Sequence, residues 1–155
     1  MYDRILIPTD GSETAELAVE RALAIAEQFD SAVDTLYVVD TDALELSLGT
    51  EQVDRVRSGR FGEMDELEAK AREATDHVVE AGRERGVDVT AHFRAGQPHK
   101  VIADFAEDQD VDLVVMGSHG RSGLSRVVLG SVAEKVLRRT RLPVLVVDVH
   151  GDHVE

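Results

Sequence analysis

Residues 113–132 read Leu113-Val114-Val115-Met116-Gly117-Ser118-His119-Gly120-Arg121-Ser122-Gly123-Leu124-Ser125-Arg126-Val127-Val128-Leu129-Gly130-Ser131-Val132. The apolar run Leu113 to Met116 suits a buried strand, and it passes directly into a glycine-rich loop. A helix is expected to begin near Ser131. Gly117, Gly120 and Gly130 offer backbone without side chains where a bulky anion can approach. Ser131 adds a hydroxyl and backbone N–H groups at a helix N-terminus, where the helix dipole favours negative charge. This combination points to phosphate.

Outward from that stretch, strands and helices alternate. Arg4 to Pro8 is a short apolar run followed by the turn residues Thr9-Asp10-Gly11-Ser12. Ser12 or Thr14 can cap a helix whose apolar face is Leu17, Ala18, Leu23, Ala24 and Ile25. Ala32 to Val39 reads as the second strand. A helix from Phe61 or Glu63 to Arg85 ends at Gly86. The third strand is expected at Val87 to Ala95, and Pro98 opens a helix through Phe105. Asp112 to Met116, Ser131 to Arg139 and Pro143 to Val149 complete the series as strand, helix and strand. The rhythm predicts an α/β fold, a single open parallel sheet of five strands with helices on both faces. Residues 1–149 are expected to form one domain and 150–155 a frayed tail.

The glycine spacing is Gly117-x-x-Gly120, nine residues, then Gly130-Ser131. It is neither a Walker loop, since no Gly-Lys-Ser or Gly-Lys-Thr occurs, nor the dinucleotide fingerprint Gly-x-Gly-x-x-Gly. It resembles the nucleotide-binding loop of the ATP-binding branch of the universal stress protein family. Ile5-Leu6-Ile7-Pro8-Thr9-Asp10-Gly11-Ser12 is similar to that family's first strand and turn. Leu36-Tyr37-Val38-Val39-Asp40 resembles its second strand, and Val111 to Gly117 with Leu142 to Val147 resembles its closing half.

The resemblance implies a Rossmann-like sheet, similar to adenine nucleotide α-hydrolases, with strand order 3-2-1-4-5. The ends of strands 1 and 4 would then flank the crevice where open α/β sheets bind ligands. It implies an adenine nucleotide, ATP or alternatively AMP or ADP, with Mg²⁺ or Mn²⁺. Pro8, Thr9 and the backbone at Val38 would lie around adenine and ribose. Met116, Gly117, Gly120, Gly130, Ser131 and Val132 would lie along the phosphates. Asp10 would touch a metal ion or a ribose hydroxyl, or else simply cap its turn. His119 and Arg121, inside the loop, would reach phosphate or point to solvent. A homodimer through Leu142 to Val147 is also implied, because an apolar edge strand invites pairing.

Bulk properties narrow the function further. Asp and Glu number 31 against 17 Lys and Arg, a net charge of −14, and the lysines are Lys70, Lys100 and Lys135. Such a surface repels nucleic acid. Its acid-rich, lysine-poor balance resembles proteins from salt-rich cytoplasm, where screening weakens self-repulsion. No cysteine is present, which excludes disulfides and thiolate metal sites. No apolar run is long enough to cross a bilayer, and Met1-Tyr2-Asp3-Arg4 leads straight into a strand without a signal peptide. A cytoplasmic protein is expected.

The remaining candidates are weaker. Asp40 to Gly62 is either a flap over the crevice or a plain connection. Ser118, Ser122 and Ser125 are modification candidates. His77, His92, His99, His150 and His153 are scattered without metal-ligand spacing. Arg138, Arg139 and Arg141 suit the C-terminal dipole of the last helix. The resemblance implies a nucleotide-dependent stress-response regulator, and with no catalytic group defined by spacing, at most slow ATP hydrolysis is expected. A nucleotide-hydrolysing or adenylyl-transfer enzyme, and a nucleotide-free dimeric interaction module, are the alternatives.

Overall fold

The computed structural model describes residues 1–42, 65–118 and 129–148. Its sheet has five parallel strands: β1 (Arg4–Pro8), β2 (Ala32–Asp40), β3 (Val89–Gly96), β4 (Leu113–Gly117) and β5 (Val144–Val147), in the order β3-β2-β1-β4-β5. Among the described residues the helices between them are α1 (Glu13–Phe29), α2 (Asp65–Glu84), α3 (Pro98–Asp108) and α4 (Ser131–Arg139). The expected architecture and strand order are therefore those observed.

β1 lies at the centre, and Ile5, Leu6 and Ile7 are fully buried. Successive side chains on a strand point to opposite faces, so the three residues feed two cores. Ile5 and Ile7 join Val33, Leu113, Val115 and Val147 beneath α1, with Val78 of α2. Leu6 joins Leu36, Val114 and Met116 beneath Phe105 of α3 and Val136 of α4. The near-continuous apolar strands follow from this two-sided burial.

Local chemistry sets the helix ends. Ser12 is the N-cap of α1, and its side chain accepts a hydrogen bond from the Ala15 N–H. The buried face of α1 is Thr14, Ala15, Ala18, Val19, Ala22, Leu23 and Ala26. Ala24, expected on that face, is exposed, and small residues instead let the helix approach the sheet closely. At the end of α2, the Val87 N–H donates to Gly82 O at 2.8 Å and the Gly86 N–H to Arg83 O at 3.1 Å, with Gly86 at φ +74°. This left-handed cap consumes the N–H of Val87, so β3 starts at Val89 rather than at Val87. α3 runs on to Asp108, past Phe105, because Ala106-Glu107-Asp108 contains no breaker; Asp110 then reverses the chain at φ +54°. β5 begins at Val144, one residue after Pro143, whose carbonyl accepts from the Val114 N–H while its own nitrogen has no proton. The expected end of that strand at Val149 and the tail 150–155 lie outside the described residues, as do residues 43–64 of the long connection.

One charged cluster is built into the second core at the end where β1 and β2 begin. Asp34 of β2 is buried; its Oδ2 accepts from Arg4 Nε at 2.6 Å and its Oδ1 lies 2.9 Å from His92 Nε2. Arg4 Nη2 also donates to Gln109 at 3.3 Å, and the His92 ring meets Phe105 edge-on at 4.8 Å. Burial pushes the Asp34 carboxyl up, but the hydrogen bonds and charges of Arg4 and His92 outweigh it and hold the pKa below the usual carboxylate value.

Removing Asp34 strands a partly buried guanidinium, so Asp34→Ala is expected to cost about 2 kcal/mol of stability at pH 7. A depressed carboxylate contributes fully above its unfolded pKa and loses that contribution as pH falls through the folded value. The gap between wild type and variant in urea denaturation should therefore persist to roughly pH 4 and close below it. An equal gap at pH 3 and pH 7 would contradict the assignment.

Candidate functional site

The central strand is short, and that makes the crevice. Pro8 is level with Leu36 of β2, yet β2 continues to Asp40. Those four further residues extend β2 by roughly 13 Å beyond the end of β1 at the usual strand rise. On the other side β4 runs to Gly117, level with Val147 of β5. The end of β1 is thus the floor, the overhang of β2 is one wall, and the end of β4 with the start of α4 is the other.

The floor turn satisfies itself. The Thr9 N–H donates to Leu36 O at 2.9 Å. Thr9 Oγ1 accepts from the Gly11 N–H at 3.2 Å, and Asp10 Oδ1 accepts from the Ser12 N–H at 2.9 Å. Gly11 has φ +79°, which favours glycine. Asp10 therefore does cap its turn, and it is half-buried at the crevice floor. Val38 sits on the overhang, half-buried against the second core and level with Arg94 of β3. Its position is that of a wall residue whose backbone runs past the end of β1.

The opposite wall is fixed by backbone hydrogen bonds. The Ser118 N–H donates to Val147 O at 2.8 Å, and the Gly130 N–H donates to Ser118 O at 2.6 Å. Ser118 thereby joins the last strand to the start of α4. Gly130 is the N-cap of α4 and has no side chain to accept from the first turn; the first backbone bond of the helix runs from the Glu134 N–H to Gly130 O. The opening N–H groups of a helix have no intrahelical acceptor. Here they follow a glycine and stand beside an exposed Ser131 and a half-buried Val132. This end of α4 can hold an anion.

Gly117 has a packing role beside the one its spacing suggests. A Cβ there would lie 2.7 Å from Thr14 Cγ2 and 3.1 Å from the Thr14 carbonyl carbon. Glycine at 117 is required because the first turn of α1 packs directly on the end of β4, so its Cβ direction points at α1. Its neighbour Met116 is buried in the second core. Of the other expected loop residues, His119, Gly120 and Arg121 lie outside the described residues, as do Ser122 and Ser125. The structure thus brings Pro8, Thr9, Asp10, Val38, Met116, Gly117, Gly130, Ser131 and Val132 to one end of the sheet. Thr14 was not legible as part of this region, nor was the bridging role of the Ser118 backbone, because the contacts that place them lie far apart in sequence. A shallow pocket lined by Val39, Glu68, Ala71, Arg72 and Phe93 lies elsewhere, beneath α2. It has no glycine or helix start to receive an anion.

Comparisons with known proteins identify the family. The model of the Universal stress protein family matches residues 1–148. The chain belongs to the universal stress protein family. It is 38% identical over 148 residues to Universal stress protein MJ0531 of Methanocaldococcus jannaschii, covering 95% of this chain and 82% of that protein. It is 34% identical over 154 residues to Universal stress protein MJ0577 of the same organism, covering 95% of each. The solved structure of MJ0577 superposes with a TM-score of 0.73 over 96% of both chains. The universal stress protein from Archaeoglobus fulgidus in complex with dAMP shares the fold, with 23% identity and a TM-score of 0.69 over 94% of this chain and 98% of that one. Among the described residues of this family member, no helix is long and apolar enough to cross a membrane.

The contact between Gly117 and Thr14 makes a direct expectation. Gly117→Ala should destabilise by about 2 kcal/mol through overpacking. Adding Thr14→Ser, which removes Cγ2 but leaves the 3.1 Å backbone contact, should recover part of that loss. Thermal unfolding of the two variants checks it; a Gly117→Ala protein as stable as wild type would show that the close approach is absent.

Proposed function

We propose that this universal stress protein binds ATP in the crevice at the end of β1 and acts as a nucleotide-dependent regulator with at most slow hydrolysis. The observation that carries the reading is the glycine-capped start of α4, facing a crevice whose other wall is the overhang of β2. Adenine and ribose would lie along Pro8, Thr9 and the backbone at Val38. The phosphates would lie against Gly117, Gly120, Gly130, Ser131 and Val132, with Met116 beneath them and His119 and Arg121 as further contacts. The complex of the Archaeoglobus fulgidus relative with dAMP supports an adenine nucleotide as the ligand class. The choice of ATP over AMP or ADP rests on the resemblance of the loop to that of the family's ATP-binding branch.

A divalent cation fits this site as part of the nucleotide. Mg²⁺ keeps several waters and is commonly held by one or two carboxylates plus phosphate oxygens. Asp10 is one such carboxylate, with Oδ1 engaged by the Ser12 N–H. No group of three or more candidate ligands occurs among the described residues, so Mg²⁺ or Mn²⁺ would arrive with the phosphates. A metal there would offset phosphate charge in a protein of net charge −14. The regulator reading is favoured over the enzyme reading because the sequence supplies neither a P-loop lysine nor a paired water-activating group.

Gly130→Val should abolish ATP binding in calorimetric titration while leaving the circular dichroism spectrum unchanged, because a branched side chain would stand where phosphate meets the helix start. Undiminished affinity in that variant would refute the placement.

The proposed quaternary state is a homodimer through β5. Among the described residues this edge strand pairs with β4 alone. Leu145 is 38% exposed, and Leu137 on the adjacent α4 is 41% exposed. Pairing with a second copy would cover this apolar edge. Sedimentation at high salt should show a dimer at micromolar concentration and a monomer for Val146→Lys. A monomeric wild type would refute the dimer, and a dimeric variant would refute the interface.

A further inference from the structure

α3 and α4 pack side by side on one face of the sheet, and their charges are arranged in rows. Ser131, Lys135 and Arg139 recur every four residues along α4, which places them on one helical face. Lys100 and Asp104 form a matching row on α3. Near the far end of the rows the charges are neutralised: Arg139 Nη2 lies 3.6 Å from Asp104 Oδ1. Beside the row, Arg138 lies 3.1 Å from Glu134. One turn nearer the crevice the pattern breaks. One turn before the Arg139–Asp104 pair, Lys135 comes level with the first turn of α3, where its charge and that of Lys100 act on His99, and neither lysine has a salt bridge among the described residues.

In a chain with 31 carboxylates and only three lysines, two unneutralised lysines beside one histidine are not an average surface. The groups facing His99 are Lys100 on its own helix, Lys135 and Arg139 on α4, and Asp42 after β2. Asp42 is itself engaged, its Oδ2 accepting from Gln97 Nε2 at 3.2 Å. Burial and the three cations outweigh Asp42 and hold the His99 pKa below the ordinary imidazole value. Of these cations Arg139 is paired with Asp104, which leaves Lys100 and Lys135 as those without a salt bridge among the described residues.

The position of this cluster gives it a ligand. Side chains on a helix lean toward its N-terminus, and a lysine four residues after Ser131 has the reach to extend along that row toward Ser131 and Gly130. We propose that Lys135, backed by Lys100 and His99, is the residue that recognises the terminal phosphates of a nucleoside triphosphate and so separates it from the monophosphate. This rests on the reading of the crevice as a nucleotide site. It supplies, from the fourth residue after Ser131, the cation that a Walker lysine supplies elsewhere. The first phosphate needs only the backbone N–H groups and Ser131, whereas the outer phosphates carry additional charge that a lysine can bind as a point charge.

The test is titration calorimetry of ATP and AMP, at one fixed salt concentration, into wild type, Lys135→Gln and Lys135→Arg. Lys135 is exposed, so neither change touches the core. Lys135→Gln should weaken ATP about tenfold, the scale of one charge-assisted hydrogen bond, while AMP affinity stays within about twofold. Lys135→Arg should restore most of the ATP affinity. A second readout is the His99 imidazole, followed by proton NMR and assigned with His99→Gln. Its pKa should rise when ATP binds, because the phosphates bring negative charge to the cluster, and stay in place with AMP. An unchanged ratio of ATP to AMP affinity in Lys135→Gln, or a His99 pKa indifferent to ATP, would overturn the inference while leaving the crevice reading intact. A wild-type protein that binds neither nucleotide would overturn both.

Discussion

The structure depends on a central strand that is buried on both faces and stops early. Ile5, Leu6 and Ile7 have no exposure, so β1 must serve two cores at once. A slip of one residue would exchange the two sets of side chains and leave both cores mispacked. That constraint fixes the register with β2 and β4, and the register fixes the crevice. Because β1 ends at Pro8 while β2 runs on, the chain turns away at Thr9 and leaves a gap with no strand to fill it. The site is thus a by-product of strand length. The wall at Val38 and the start of α4 are placed by backbone pairing, and the floor turn by backbone bonds together with the short side chains of Thr9 and Asp10, so the region does not depend on long flexible side chains to take its shape.

Much of this was legible because it is local. Ser12, Gly86 and Pro98 announce helix ends through caps and fixed dihedrals, and the apolar runs announce strands. Strand order was not local: alternating strands and helices permit several right-handed arrangements, and the order came from resemblance to a family. The misreadings share a cause. Val87 looks like the first residue of a strand, but its N–H is consumed by the cap of α2. Ala24 looks like part of a buried face, but α1 is rotated to set Ala22 and Ala26 against the sheet. Phe105 ends the apolar pattern of α3 but not the helix, since nothing in Ala106 to Asp108 breaks it.

The site is legible in the composition of the strand ends and their glycines more than in their contacts. A glycine after a strand invites an anion, and Gly117 is needed as well by Thr14, more than a hundred positions away in sequence. Asp34 in an otherwise apolar strand was the missed signal. A carboxylate in the second strand of a parallel sheet implies a buried partner, and here it has two. Lys135 carried no motif at all. Its meaning appears only when α3 lies beside α4 and the matching of opposite charges is seen to stop one turn short of the crevice.

The hydrogen bond from Gly130 to Ser118 has a consequence for how such a protein can change over time. It clasps together two residues that the chain separates by eleven others, so the end of the sheet and the start of α4 are fixed to each other directly. The entropy of joining two points by a stretch of chain grows only with the logarithm of its length. A change in the number of residues between the two clasped ends therefore adds little to the cost of making the clasp. The two cores, and the strand that joins them, are insulated from such changes.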